Sequence, residues 1–335
     1  MLIRTPPDWA IPESEVTPQA LALDRRAWLA RSIALGLAPG MASAAEPGGA
    51  LLATTTSTSV SVSNAPATPS FATPPKPNPA HQAPEPLSDP QRVFSFTNFF
   101  EFGAGKDIRA RAERLPLRPW TLTIDGLVKQ PQVLDVDRLL SRMANEQRIY
   151  RHRCIEAWSM VVPWDGFALK DLVALAEPLS SARYVSFTTF GPSKHFSAGF
   201  WRFWQPWPYL EAVTMAEAMS ELPFIATGLY GSPLLPQNGA PLRLVLPWKY
   251  GFKSAKSLVR MSFHAERPRT FWERSRPSEC GFWANVNPQV PHPHWSQATE
   301  QRLGAAERIP TQLFNGYGAQ VAHLYHGLEH EMLWR

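Results

Sequence analysis

Cysteine is scarce: Cys154 and Cys280 are the only two among 335 residues. That count excludes a disulfide framework and multi-cysteine zinc sites, leaving either one bridge or two separate thiols. No C-x-x-C-H occurs, so no haem is attached through cysteine. Neither G-x-G-x-x-G nor G-x-x-x-x-G-K-[ST] is present, which removes the glycine loops that cradle nucleotide phosphates. Internal repeats and long apolar runs are also missing. The formal net charge is +5. Zinc-finger spacing, RNA-binding signatures and long Lys/Arg runs are nevertheless lacking, so nucleic acid is not the expected partner and an anionic ligand is. What is abundant is proline, at 34, and tryptophan, at 13, in a chain that is 44% hydrophobic. Proline breaks long helices, so a helical bundle is excluded. The composition predicts an α+β fold, mixed and mostly β, with short helices and long loops.

The first ninety residues read as address and spacer. Arg25-Arg26-Ala27-Trp28-Leu29 precedes a short apolar stretch, Ser32 to Ala44, that ends in small residues. This pattern predicts a twin-arginine export signal over residues 1–45, and with it a periplasmic location and use of the twin-arginine export machinery. The alternative is a basic surface helix. Residues 46–92 are rich in Pro, Ala, Ser and Thr, with little apolar side chain to offset ordering entropy, and are expected to be a disordered spacer. The folded unit is expected over residues 93–335.

Within it, alternation predicts strands at Pro119 to Gly126, Gln147 to Arg153, Tyr184 to Thr189, Phe224 to Tyr230, Leu242 to Leu246 and Leu258 to His264. Helices are expected at Asp135 to Met143, Phe167 to Ala176 and Ala319 to Leu328. No βαβ alternation recurs.

Three segments carry chemistry. In Arg151-His152-Arg153-Cys154-Ile155-Glu156-Ala157-Trp158, basic residues flank one cysteine at a strand end. Positive neighbours favour the thiolate, the form that binds a soft transition metal, while a buried inert cysteine is the bland alternative. Pro236 to Arg243 is a polar turn entering an apolar strand. Trp248-Lys249-Tyr250-Gly251-Phe252-Lys253-Ser254-Ala255-Lys256 interleaves aromatics with three lysines, suited to a planar anion, or else to a solvated loop.

Together these segments resemble the catalytic subunits of periplasmic protein-methionine-sulfoxide reductases, a molybdopterin family related to sulfite oxidases. The resemblance runs from Thr97-Asn98-Phe99-Phe100-Glu101-Phe102 to Phe314-Asn315-Gly316-Tyr317 and is densest at Cys154 to Trp164 and Pro236 to Lys253. It implies a sulfite-oxidase molybdopterin-binding fold without an extra dimerisation domain, and a molybdenum-molybdopterin cofactor without a nucleotide extension. It implies Cys154 as the ligand to molybdenum, and Asn98, Phe100, Glu101, Thr189, Asn238, Arg243, Ser254, Ala255 and Lys256 as holders of the pterin and its phosphate. Phe100 stands where the family usually has tyrosine, and Thr97 where it usually has asparagine. Glu156 is a candidate for proton delivery, or else a structural carboxylate paired with an arginine. Cys280 is expected to be incidental. The aromatic stretch Gly191 to Tyr209, with Phe200, Trp201, Phe203, Trp204 and Trp207, is either core packing or an apolar mouth for oxidised methionine. The implied partners are a membrane haem b electron-donor subunit and oxidised periplasmic proteins as substrates. The rival readings are oxidation of sulfite or another small anion at the same centre, and a non-enzymatic anion-binding module.

Overall fold

In a computed structural model of the chain, residues 68–191 and 205–334 are described. The expected export signal lies outside them, as do Phe200, Trp201, Phe203 and Trp204 of the aromatic stretch.

The fold is mixed α/β, with two sheets and short helices. The first sheet is organised around Trp158–Ala168, an eleven-residue strand buried along its whole length. It pairs antiparallel with Glu146–Arg153 and with Phe224–Leu229, and parallel with Thr299–Arg302. Phe224–Leu229 carries Arg243–Val245 on its other side. Sequence alternation missed the long strand because both of its faces are covered, so no polar face marks the period of two. The second sheet has the order Gln132–Asp135, Thr121–Gly126, Leu258–His264, Tyr184–Thr189, Leu210–Thr214. Leu258–His264 runs parallel to Thr121–Gly126 and antiparallel to Tyr184–Thr189.

Two expectations need correction. The spacer expected over 46–92 does not extend to 92, because residues 68–92 pack on the first sheet. Lys76–Pro77 adds a short parallel strand beside Glu146–Gln147. Ser88 exchanges two hydrogen bonds with Val161, at 2.8 and 3.0 Å. Arg151 pairs with Glu85 at 2.5 Å, and Phe71 meets the edge of Phe167. Composition misled here because backbone hydrogen bonds and an ion pair, rather than apolar side chains, hold the segment. Its prolines also lower the entropy lost on ordering. The strap ends at Asp89, whose side chain accepts from the Arg92 N–H and caps the helix Pro90–Ser95, with Pro90 in the first turn. The expected closing helix at Ala319 to Leu328 is instead a short helix, Gly318–Val321, followed by a 3-10 turn, Ala322–Tyr325. Val321, at φ −128°, leaves the helical region. The break delivers the Tyr325 hydroxyl onto Glu217 and Asn285, at 2.7 and 2.9 Å.

Candidate active site

Cys154 sits at the tip of the hairpin formed by Glu146–Arg153 and Trp158–Ala168. Its N–H donates to Trp158 O at 2.9 Å, and the turn closes through Ala157 at φ +63°. The next carbonyl, of Ile155, accepts from the indole of Trp295 and from Gln297, both at 2.8 Å. Arg153 also donates to the Cys154 carbonyl. The thiol is therefore presented from a loop whose carbonyls are fixed by Arg153, Trp295 and Gln297.

The basic neighbours do not activate this thiol as the sequence suggested. Successive strand residues point to opposite faces. Arg153 turns away, fully buried, onto Glu300, Thr311 and Gln297. Arg151 is held by Glu85 and Asn315 O. Burial first, then Arg243 and Lys256, push the His152 ring well below its ordinary value, so it is neutral. Burial, aided by Glu156, raises the Cys154 thiol to about 12. Deprotonation must come from a bound metal, which ionises a coordinating thiol outright.

The sulfur lines a cavity of about 430 Å³. Asn98, Phe100, Glu101, Glu156, Asn238, Arg243, Ser254, Ala255 and Lys256 line it too. Thr189 lies just behind the wall, beside Glu101. The cavity floor is cationic and unpaired. Arg243 is buried over the Trp164 ring at 4.7 Å and donates to Asn238 O at 3.0 Å, while its Nε has no partner. Burial alone pulls it down to about 9. Lys256 lies over Phe99 at 5.4 Å, with no hydrogen bond among the described residues. Burial, then Arg243, lower it to about 7. Glu101 is pushed up to about 7 by burial, against the pull of Thr189 and Lys256.

The other two lysines of that segment do not reach the cavity as free cations. Lys249 is buried against Glu217 at 2.6 Å and also donates to Trp283 O and Asn285. Lys253 is buried against Glu211 at 2.7 Å. Of the three lysines, only Lys256 offers its charge. Backbone shape supports the same space. A Cβ on Gly251 would strike His152 Nε2 at 2.5 Å, and one on Gly239, at φ +104°, would meet Lys256 at 2.9 Å.

Buried acceptors without donors complete the cavity: Asn98 Oδ1 and Asn238 Oδ1. Asn98 donates to Glu156 at 3.1 Å, and Lys106 forms an ion pair with the same carboxylate. The sequence expected an arginine if Glu156 were structural, but the partner is a lysine. Ser254 Oγ accepts from Leu246 N–H at 3.2 Å, so the hydroxyl fixes the loop. Phe100 offers only its ring, which stacks on Trp207 and tilts against Trp272 at 5.0 Å. Sequence reasoning missed a further wall of Trp272, Glu279, His292, His294 and Trp295. The only local signal for it was His292-Pro293-His294-Trp295. Cys280, expected to be incidental, lines the cavity as well. Both cysteines are free, so the single-bridge alternative is not realised.

Residues 111–272 match the family described as the oxidoreductase molybdopterin binding domain. Over those residues the chain carries a molybdopterin-binding oxidoreductase domain. Its cofactor is molybdenum-molybdopterin. Among solved structures, the chain is similar to the sulfane dehydrogenase SoxCD from Paracoccus pantotrophus, with 17% identity and a TM-score of 0.43. That match covers 59% of this chain and 49% of the other, about half its length.

The cavity fits the cofactor. Arg243, buried, and Lys256, half-buried, are cations with no carboxylate in ion-pair contact, which a phosphate would neutralise. Asn98 Oδ1 and Asn238 Oδ1 are acceptors for pterin N–H groups. The Cys154 thiol supplies a soft ligand. Among the described residues, no cluster of three or more His, Cys, Asp or Glu is placed to hold a metal ion, so the remaining ligands would come from the pterin.

Proposed function

We propose that the protein reduces methionine sulfoxide side chains of oxidised exported proteins at a molybdenum-pterin centre ligated by Cys154. When bound, the cofactor supplies two-electron oxygen-atom transfer chemistry. The protein's residues position it. Arg243 and Lys256 would take the phosphate; Asn98, Asn238, Glu101 with Thr189 behind it, and the backbone of Ser254 and Ala255 would take the pterin; and the Phe100 ring would close one side. Glu156, fixed by Lys106 and Asn98, orients the approach to the sulfur of Cys154.

The observation that carries this reading is the charge balance of the cavity. Arg243 and Lys256 suit the cofactor phosphate, whereas Arg276 in the cavity lining and Lys106 beside it are already matched by carboxylates, Glu279 and Glu156. Among the described residues, a small dianion would find no outer cation without a carboxylate partner. A neutral sulfoxide would find aromatic walls from Phe100, Phe252, Trp272 and Trp295. This favours sulfoxide reduction over anion oxidation and over a binding module. The twin-arginine pattern supports periplasmic work. The lack of any C-x-x-C-H supports an external donor, a membrane haem b subunit.

One sample decides between the readings. Purified from a cofactor-competent host, the protein should reduce free and protein-bound methionine sulfoxide with reduced viologen and leave sulfite unoxidised. Cys154→Ser should lose molybdenum and activity together. Sulfite oxidation without sulfoxide reduction would establish the rival.

A further inference from the structure

The cavity lining also holds a second ionisable group, built from Glu279, His292 and His294. Glu279 Oε2 lies 3.7 Å from His292 Nε2, and Glu279 Oε1 lies 3.5 Å from His294 Nε2. The three differ in exposure: the His292 side chain is 5% exposed, that of Glu279 21% and that of His294 63%. They form a graded path from solvent to the cavity. The His294 N–H donates to His292 Nδ1 at 3.3 Å, so in the neutral ring the proton sits on Nε2, the nitrogen nearest Glu279. The Trp295 ring stacks on His292 with centroids 3.8 Å apart and 11° between planes. The same indole donates to Ile155 O, in the loop that carries Cys154. The cluster is thereby fixed against the reactive loop.

We propose that Glu279, His292 and His294 form a proton relay that serves the reaction in the cavity. This rests on the sulfoxide reading above. In that reaction one sulfoxide, two electrons and two protons give one thioether and one water. The sulfur–oxygen bond breaks, sulfur is reduced, the oxygen leaves as water, and the electrons come from a one-electron donor such as a reduced viologen or haem. Two protons must therefore reach the cavity in each turnover. The floor is poorly placed to supply them. In that reading Cys154 is taken up by the metal, and Arg243 and Lys256 by the phosphate. Glu156 is engaged by Lys106 and Asn98. Imidazole and carboxylate side chains both give and take protons, so a His–carboxylate–His array can pass them between solvent and the cavity. The N···O separations exceed hydrogen-bond length and close by a small side-chain rotation or through one water. The charged and titratable groups facing the array are Arg276, 3.7 Å from Glu279 Oε1, and Cys280, with Glu211 and Lys253 behind it.

The test is the pH dependence of kcat for methionine sulfoxide with reduced viologen, in holoenzyme of matched molybdenum content. Glu279→Gln should lower kcat about 100-fold, the low end for a lost acid–base group. KM should stay within about twofold, and small exogenous acids such as imidazole should restore part of the rate. Histidine-ring NMR titration of the same protein should show the His292 and His294 curves both shifted by that substitution. His294→Gln, at the exposed end, serves as the variant that cannot fail through misfolding of a buried site. Wild-type pH profiles in both variants, or a kcat loss in Glu279→Gln with unchanged histidine titrations, would overturn the relay. A wild-type protein inert to sulfoxides but oxidising sulfite would instead overturn the sulfoxide reading and this role with it. Sulfoxide reduction in the wild type with an unaltered Glu279→Gln profile removes the relay alone.

Discussion

Replacing Arg243 by methionine should stabilise the cofactor-free protein while emptying the holoenzyme. Arg243 is buried with no carboxylate partner, and burial brings it from an ordinary 12.5 to about 9. At about 1.36 kcal/mol per pH unit, 3.5 × 1.36 gives about 5 kcal/mol of penalty for keeping the cation inside. The guanidinium does not deprotonate in the accessible range, so the penalty is present throughout, at every pH below its folded value. The hydrogen bond to Asn238 O and the contact with Trp164 offset part of it. Those are worth about 1.5–3 and about 1 kcal/mol respectively. What remains is a destabilisation of about 1–2.5 kcal/mol. Methionine is apolar and flexible enough to fill the same volume, and replacing a buried charge by such a residue is often stabilising. Thermal melts of protein from a cofactor-deficient host should then rise by roughly 2–10 °C in Arg243→Met. From a competent host, the wild type should carry the higher molybdenum content and the higher melting temperature, since a ligand that binds only the folded state stabilises it. A cofactor-free Arg243→Met that melts below wild type, or a holoenzyme variant with full molybdenum, would refute the reading of Arg243 as an anion-binding group.

Two further predictions concern stability. His152 is held neutral in the fold, first by burial and then by Arg243 and Lys256. The unfolded chain takes up a proton below about 6.5 and the folded one does not, so stability falls as pH drops through that value, by up to about 1.4 kcal/mol per pH unit. Urea midpoints at pH 7.5 and 5.0 should show that His152→Gln flattens this slope; an unchanged slope assigns the acid sensitivity elsewhere. Removal of residues 1–92 should cost at least about 3 kcal/mol more than removal of residues 1–67. The longer deletion strips the Ser88 hydrogen bonds and leaves the part-buried Arg151 without Glu85. Equal midpoints for the two truncations would mean that the strap contributes nothing.

The sequence by itself determined several local elements and where Cys154 sits in them. Alternation placed Tyr184–Thr189 and Leu258–His264 at their observed bounds. The same reading put Cys154 at the end of a strand, where the hairpin tip now holds it. These features depend on neighbours a few residues apart, through side-chain period and turn chemistry, and are legible without the fold. What only the tertiary structure decided is which charges are free. Lys249, Lys253 and Lys256 look alike in the sequence, yet Glu217 and Glu211 neutralise the first two and leave the third facing the cavity beside Arg243. Arg151 and Arg153, adjacent to the cysteine in the chain, are claimed by Glu85 and Glu300. The wall of Glu279, His292 and His294 joins Cys154 only through folding. Burial and distant carboxylates set the electrostatics of this site, and sequence neighbours do not encode either, because Coulomb and desolvation energies depend on separation in space.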